Sequence, residues 1–78
     1  MYQNRLHFAK LKDARRLLND RGFIPITQIG CKELWVNGPL VIKLDINENI
    51  LYTSGFSFCN AIEWPKFLKK YDVYDLDL

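Results

Sequence analysis

The spacing of apolar positions changes character twice along this chain. In "FAKLKDARRLLNDRGF", Phe8, Leu11, Ala14, Leu17 and Leu18 recur at three- and four-residue intervals, with Lys10, Lys12, Arg15 and Arg16 between them. That spacing predicts an amphipathic helix. Gly22 is placed to end it, because glycine takes the left-handed conformation that closes many helices, and Phe23 can fold back as the accompanying apolar contact.

From Phe23 to Phe58 the period moves towards two, and β-branched and aromatic residues prevail. Registers follow from keeping like residues on one face. "DINENI" predicts a three-residue loop, Asn47-Glu48-Asn49, with Asn49 tolerating positive φ. It pairs Ile46 with Ile50, Leu44 with Tyr52 and Leu40 with Phe56. In "WVNGPL" a tight Asn37-Gly38 turn needs an N–H from residue 39, which proline lacks. A three-residue loop, Asn37-Gly38-Pro39, pairs Val36 with Leu40 and Leu34 with Ile42, and sets Glu33 opposite Lys43. The first strand, "FIPITQI", turns through Ile29-Gly30-Cys31, pairing Ile26 with Leu34 and Ile24 with Val36; Pro25 marks it as an edge. The expected core face holds Ile24, Ile26, Leu34, Val36, Leu40, Ile42, Leu44, Ile46, Ile50 and Tyr52.

"CNAIEWPKFLKKY" predicts a second helix. Asn60 and Glu63 resemble a capping box, but Pro65 fits better near the first helical position after a short turn at 60–63. Trp64, Phe67, Leu68 and Tyr71 form its apolar stripe. The fold class expected is α+β: one compact domain over residues 1–78, in two layers. Its order is α-β-β-β-β-α, a four-stranded antiparallel meander with two helices on one face. Residues 71–78, ending "YDVYDLDL", make an acidic and apolar tail or an added strand.

Composition agrees with a folded domain. The 78 residues are 49% hydrophobic and 14% aromatic, enough to build a core in a chain that buries only about 60% of its unfolded surface. Cys31 and Cys59 are too few for a disulfide scaffold. No basic-then-apolar leader opens the chain and no apolar stretch reaches about 20 residues, so a cytoplasmic protein with no membrane association is expected.

The far face of the predicted sheet carries Trp35, flanked by Pro25 and Val41, with Leu51 and Thr53 nearby. A Trp among apolar neighbours is the kind of residue that anchors a partner. The alternative is ordinary core, covered by the tail or by a second copy of the chain. In the tail, Tyr74, Leu76 and Leu78 alternate with Asp75 and Asp77 at strand period. That segment could join the sheet edge, lie across Trp35, pair with a partner's edge, or fray.

Net charge is +2, unevenly spread. Residues 1–21 hold six basic groups against Asp13 and Asp20, a local +4. Arg5, Lys12, Arg15 and Arg16 therefore form a candidate nucleic-acid set, although a solvated helix face explains them more readily. No phosphate loop, zinc-finger spacing or RNP-type motif accompanies them. Phe56 and Phe58 of "GFSF" could stack bases or simply pack. His7 is the sole histidine, nothing local activates Cys59, and Cys31, Cys59 and His7 have no metal-ligand spacing. Neither catalysis, a cofactor nor a metal is expected.

The helix–meander–helix order resembles the double-stranded-RNA-binding architecture, and "ARRLLNDRGF" is similar to the opening helix of HicA-type mRNA interferase toxins. Those toxins rely on a histidine in their early strands, and residues 23–58 contain none, so no catalytic residue is carried over. The expectation is a non-enzymatic interaction module, an adaptor or inhibitor of the kind mobile elements and bacteria encode. It would dock a protein, or its own copy, by the open sheet face. Nucleic-acid binding by the basic helix is the rival.

Overall fold

A computed structural model of the protein describes residues 4–53 and 62–77. Asn4, Leu6 and Phe8 are buried while Arg5 and His7 face the other way, a period of two that makes Asn4–Phe8 a strand, β1. The first helix, α1, therefore begins at Leu11 rather than Phe8, after an extended Lys10, and runs Leu11–Asp20. Its end follows the expectation closely. Gly22 takes φ +83°, its N–H bonds Asn19 O at 3.1 Å, and the Phe23 N–H reaches Leu18 O at 2.9 Å. This pair of backward bonds closes the helix and delivers Phe23, 2% exposed, into the core.

Four strands follow as a meander: β2 Ile24–Ile29, β3 Lys32–Asn37, β4 Leu40–Asp45 and β5 Ile50–Thr53. Helix α2, Trp64–Tyr71, begins with Pro65 in its first turn and ends at Asp72 in the left-handed conformation (φ 55°). Strand β6, Val73–Asp75, closes the described chain. The sheet has six antiparallel strands in the order β2-β3-β4-β5-β1-β6, two more than the expected meander. The α+β class holds. The added strands are the two ends of the chain, paired with each other: Leu6 with Asp75, His7 with Tyr74 and Phe8 with Val73. The tail thus joins the sheet as the added strand expected of it, and β1, which the helix reading partly absorbs, is its partner; pairing satisfies the backbone of both.

Pro25 does mark an edge, since β2 is the first strand of the sheet. Asn49 does take positive φ, at 59°. The hairpin registers differ. Asn37 pairs with Leu40, so the loop is Gly38-Pro39, two residues long. Gly38 has φ +59° at the first turn position, and proline falls second, where no N–H is required. Asp45 pairs with Ile50, leaving a four-residue loop over 46–49. The first hairpin turns through Gly30-Cys31, and Ile24 pairs with Val36 as expected. A bulge between Pro25 and Thr27 then leaves Ile26 out of step, so Thr27, not Ile26, meets Leu34.

Each one-residue change reverses a strand's faces. The expected Glu33–Lys43 pair becomes Glu33–Leu44 and Leu34–Lys43. Glu33 and Trp35 point into the core, together with Ile42, Leu44, Leu51, Leu6, Phe8 and Val73. Ala14, Leu17 and Leu18 of α1 and Trp64, Phe67 and Tyr71 of α2 complete one continuous cluster. Each fully buried large side chain contributes about 1.5–3 kcal/mol. Ile24 and Ile26, expected inside, are 60% and 56% exposed. The Leu40–Phe56 pairing, the Asn60 cap, Phe58 and Cys59 lie outside the described residues.

Candidate functional site

The structure disperses the residues expected to bind a partner. Trp35 is 4% exposed and belongs to the core, because the two-residue Gly38-Pro39 turn sets it beside Ile42. Its Nε1–H donates to Glu33 Oε1 at 3.0 Å. Arg15 reaches over from α1 and donates Nη2–H to Glu33 Oε2. That bond holds the Glu33 carboxyl below its ordinary pKa against the opposing effect of burial, with the indole bond adding to it. A carboxylate inside a core is tolerated when it is paired in this way. Leu51 is wholly buried. Pro25 stays exposed on the edge strand.

The acidic tail is built into the sheet. Asp75 Oδ2 accepts Asn4 Nδ2 at 3.0 Å and Trp64 Nε1 at 3.1 Å, while Oδ1 accepts the Asp77 amide at 2.9 Å. Asp77 is paired with Arg5 at 3.0 Å and also accepts the Arg5 backbone N–H at 2.8 Å. Hydrogen bonding from Arg5 lowers the Asp77 pKa and raises that of Arg5 in turn. Two of the expected partner contacts are thus internal acceptors. Val41 (58% exposed) and Tyr74 (63%) remain on the open face.

The candidate nucleic-acid set is divided as well. Arg5 extends from the open sheet face towards Asp77, whereas Lys12, Arg15 and Arg16 belong to α1 in the opposite layer. Arg15 is turned inward by Glu33, and Arg16 lies 3.8 Å from Asp13. Lys12 alone of the four is exposed with no partner in an ion pair among the described residues.

What the fold does assemble is an apolar row across the open face. Ile24 pairs with Val36, and Val36 with Val41, so three strands present these side chains side by side. Ile26 lies next to the row at the bulge. The adjoining row holds Thr27, Leu34, Lys43, Tyr52 and Arg5, with Lys43 Nζ 4.5 Å from the centre of the Tyr52 ring. Isolated exposed aliphatics are commonplace, but a row in register is a continuous patch. The sequence carried the signal, the alternation of Ile24 and Ile26, but assigned it to the core.

For chemistry the described residues offer little. Cys31 is half-buried at the β2–β3 turn, its Sγ 3.8 Å from Asp45 Oδ1, while His7 is two strands beyond Asp45, past Ile50. Among the described residues no three His, Cys, Asp or Glu side chains gather as metal ligands, and no helix is long and apolar enough to cross a membrane. Comparison with family models, curated proteins and solved structures gives no match to this chain.

Proposed function

We propose that this protein is a non-enzymatic interaction module of the cytoplasm, a small adaptor or inhibitor, that docks another protein on its open sheet face. The observation that carries this reading is the apolar row Ile24–Val36–Val41, exposed at Ile24 and Val41 and half-buried at Val36, with the exposed Ile26 beside it. Docking is by the face and not by addition of a strand. Pro25 and the bulge blunt the β2 edge, two devices that discourage strand pairing.

The charges around the row define the partner. Lys43 is the cation of the adjoining row and Lys32, opposite Asp45, lies one row further, while the acids of the same face, Asp45 and Asp77, already serve Glu48 N, Cys31 and Arg5. A partner with an apolar centre and an acidic rim complements this surface; a second copy of the same cationic face does not.

The test starts from affinity capture out of the source cells, followed by titration of each recovered and purified protein against the parent and an Ile24→Asp/Val41→Asp variant. The expected result is one partner whose affinity falls at least 100-fold while the variant melts with the parent. Equal binding by the variant would overturn the reading. So would sedimentation showing that the parent uses this face for its own dimer.

A further inference from the structure

The helix layer carries a second surface, independent of the open face. Residues 10–21 and 62–72 contain eight Lys and Arg against four Asp and Glu; the rest of the chain has three against five. The modest net charge of +2 therefore divides into a helix layer of +4 and a remainder of −2.

Part of that excess converges. Arg21 at the end of α1, and Glu63, Lys66, Phe67 and Lys70 from α2 and the turn before it, line a shallow crevice of about 390 Å³. The Arg21 guanidinium lies 4.8 Å from the centre of the Phe67 ring, and its Nε is buried with no hydrogen-bond acceptor among the described residues. One turn back along α1, Arg16 lies 5.2 Å from the Tyr71 ring, and Lys70 Nζ is 5.2 Å from the same ring. Two helices thus bring three cations over two aromatic rings, with Lys66 as a fourth on the crevice wall. The acids nearby are Asp13, close to Arg16, Asp20, which accepts the Tyr71 hydroxyl at 2.7 Å, and Glu63 at the crevice itself. Four cations against these acids favour an oxyanion.

The rings decide which oxyanion. Single-stranded nucleic acids are gripped by stacking bases on exposed aromatic faces. Phe67 and Tyr71 are 3% and 1% exposed and already covered by cations, so no base can stack there. The cations continue beyond the crevice along α1 to the exposed Lys12, one turn before Arg16, while Lys69 faces a separate hollow with Asp72 and Asp75. A single small phosphate would meet only the crevice; a chain of phosphates at regular spacing meets the whole surface. We infer that the α1–α2 surface binds the phosphate backbone of a nucleic-acid duplex, with Arg21, Lys66 and Lys70 as the central contacts and Arg16 beside them. Such contacts are electrostatic and read no sequence.

The full chain should be titrated with labelled duplex and single-stranded RNA and DNA, and with polyphosphate. Four phosphate contacts predict duplex affinity falling by about 100-fold between 50 and 200 mM salt. Lys66→Gln/Lys70→Gln should weaken duplex binding at least tenfold and reduce the salt slope by about two, because two contacts are gone. Both lysines are exposed, so this variant should melt with the parent. Lys32→Gln/Lys43→Gln removes the same charge from the sheet and should leave affinity unchanged to within about twofold, a control for net charge. Absence of duplex binding at 50 mM salt, equal losses in the two variants, or equal binding of single strands or polyphosphate would each overturn the inference.

Discussion

Strands β2, β3 and β4 have two faces made from similar residues with opposite fates. On one, Trp35, Ile42 and Leu44 are packed under two helices, and even a carboxylate, Glu33, is enclosed with its partners. On the other, Ile24, Ile26 and Val41 meet solvent with nothing from the described chain above them. Hydrophobicity does not distinguish the faces; position relative to the helices does. The covered face should therefore account for stability, and the bare one should contribute little to it.

The sharpest way to break this contrast is Trp35→Ala. Emptying a buried indole site should cost about 3–5 kcal/mol, read from urea denaturation. A loss below about 1 kcal/mol would place Trp35 at the surface after all. Glu33→Ala comes next, at about 1–3 kcal/mol, since it leaves the Trp35 N–H and Arg15 without their acceptor. The Glu33 pKa is depressed in the folded state, so its contribution is complete above the ordinary carboxylate range and is lost as pH falls through the depressed value. Acid titration of the parent should thus show a loss of stability that Glu33→Gln flattens.

On the bare face, Ile24→Thr with Val41→Thr should change stability by no more than about 0.5 kcal/mol each, because both side chains are exposed. A larger loss would mean the row packs against something within the chain. The smallest effect is expected from Asp77→Asn. Its pair with Arg5 is exposed, so the variant should lower the melting temperature slightly, and only at low salt.

Local signals were legible where one residue has one conformational solution. Gly22 ends α1, Asn49 takes positive φ, Pro25 marks an edge and Pro65 opens α2. Register was not legible, because a two-, three- or four-residue loop is compatible with the same turn residues. "WVNGPL" admits a three-residue loop that unites Leu34, Val36 and Ile42 on one face, and a Gly38-Pro39 turn that unites Trp35 with Ile42. Both satisfy the pattern, since β3 is apolar on both sides. The bare row was misplaced for that reason, and the helix crevice was missed because Arg21 is far in sequence from Lys66 and Lys70.

By itself, then, the sequence determined an α+β domain, the α1 end, a β-rich middle and a proline-opened α2. Each of those depends on spacing or on a backbone preference within a few residues. Tertiary structure alone decided that the two chain ends pair as β1 and β6, that Asp75 becomes the acceptor for Asn4 and Trp64, and which side of β3 is core. Pairing between strands satisfies backbone groups across the whole sheet at once, and the helices cover only one face. Neither constraint is written at any single position.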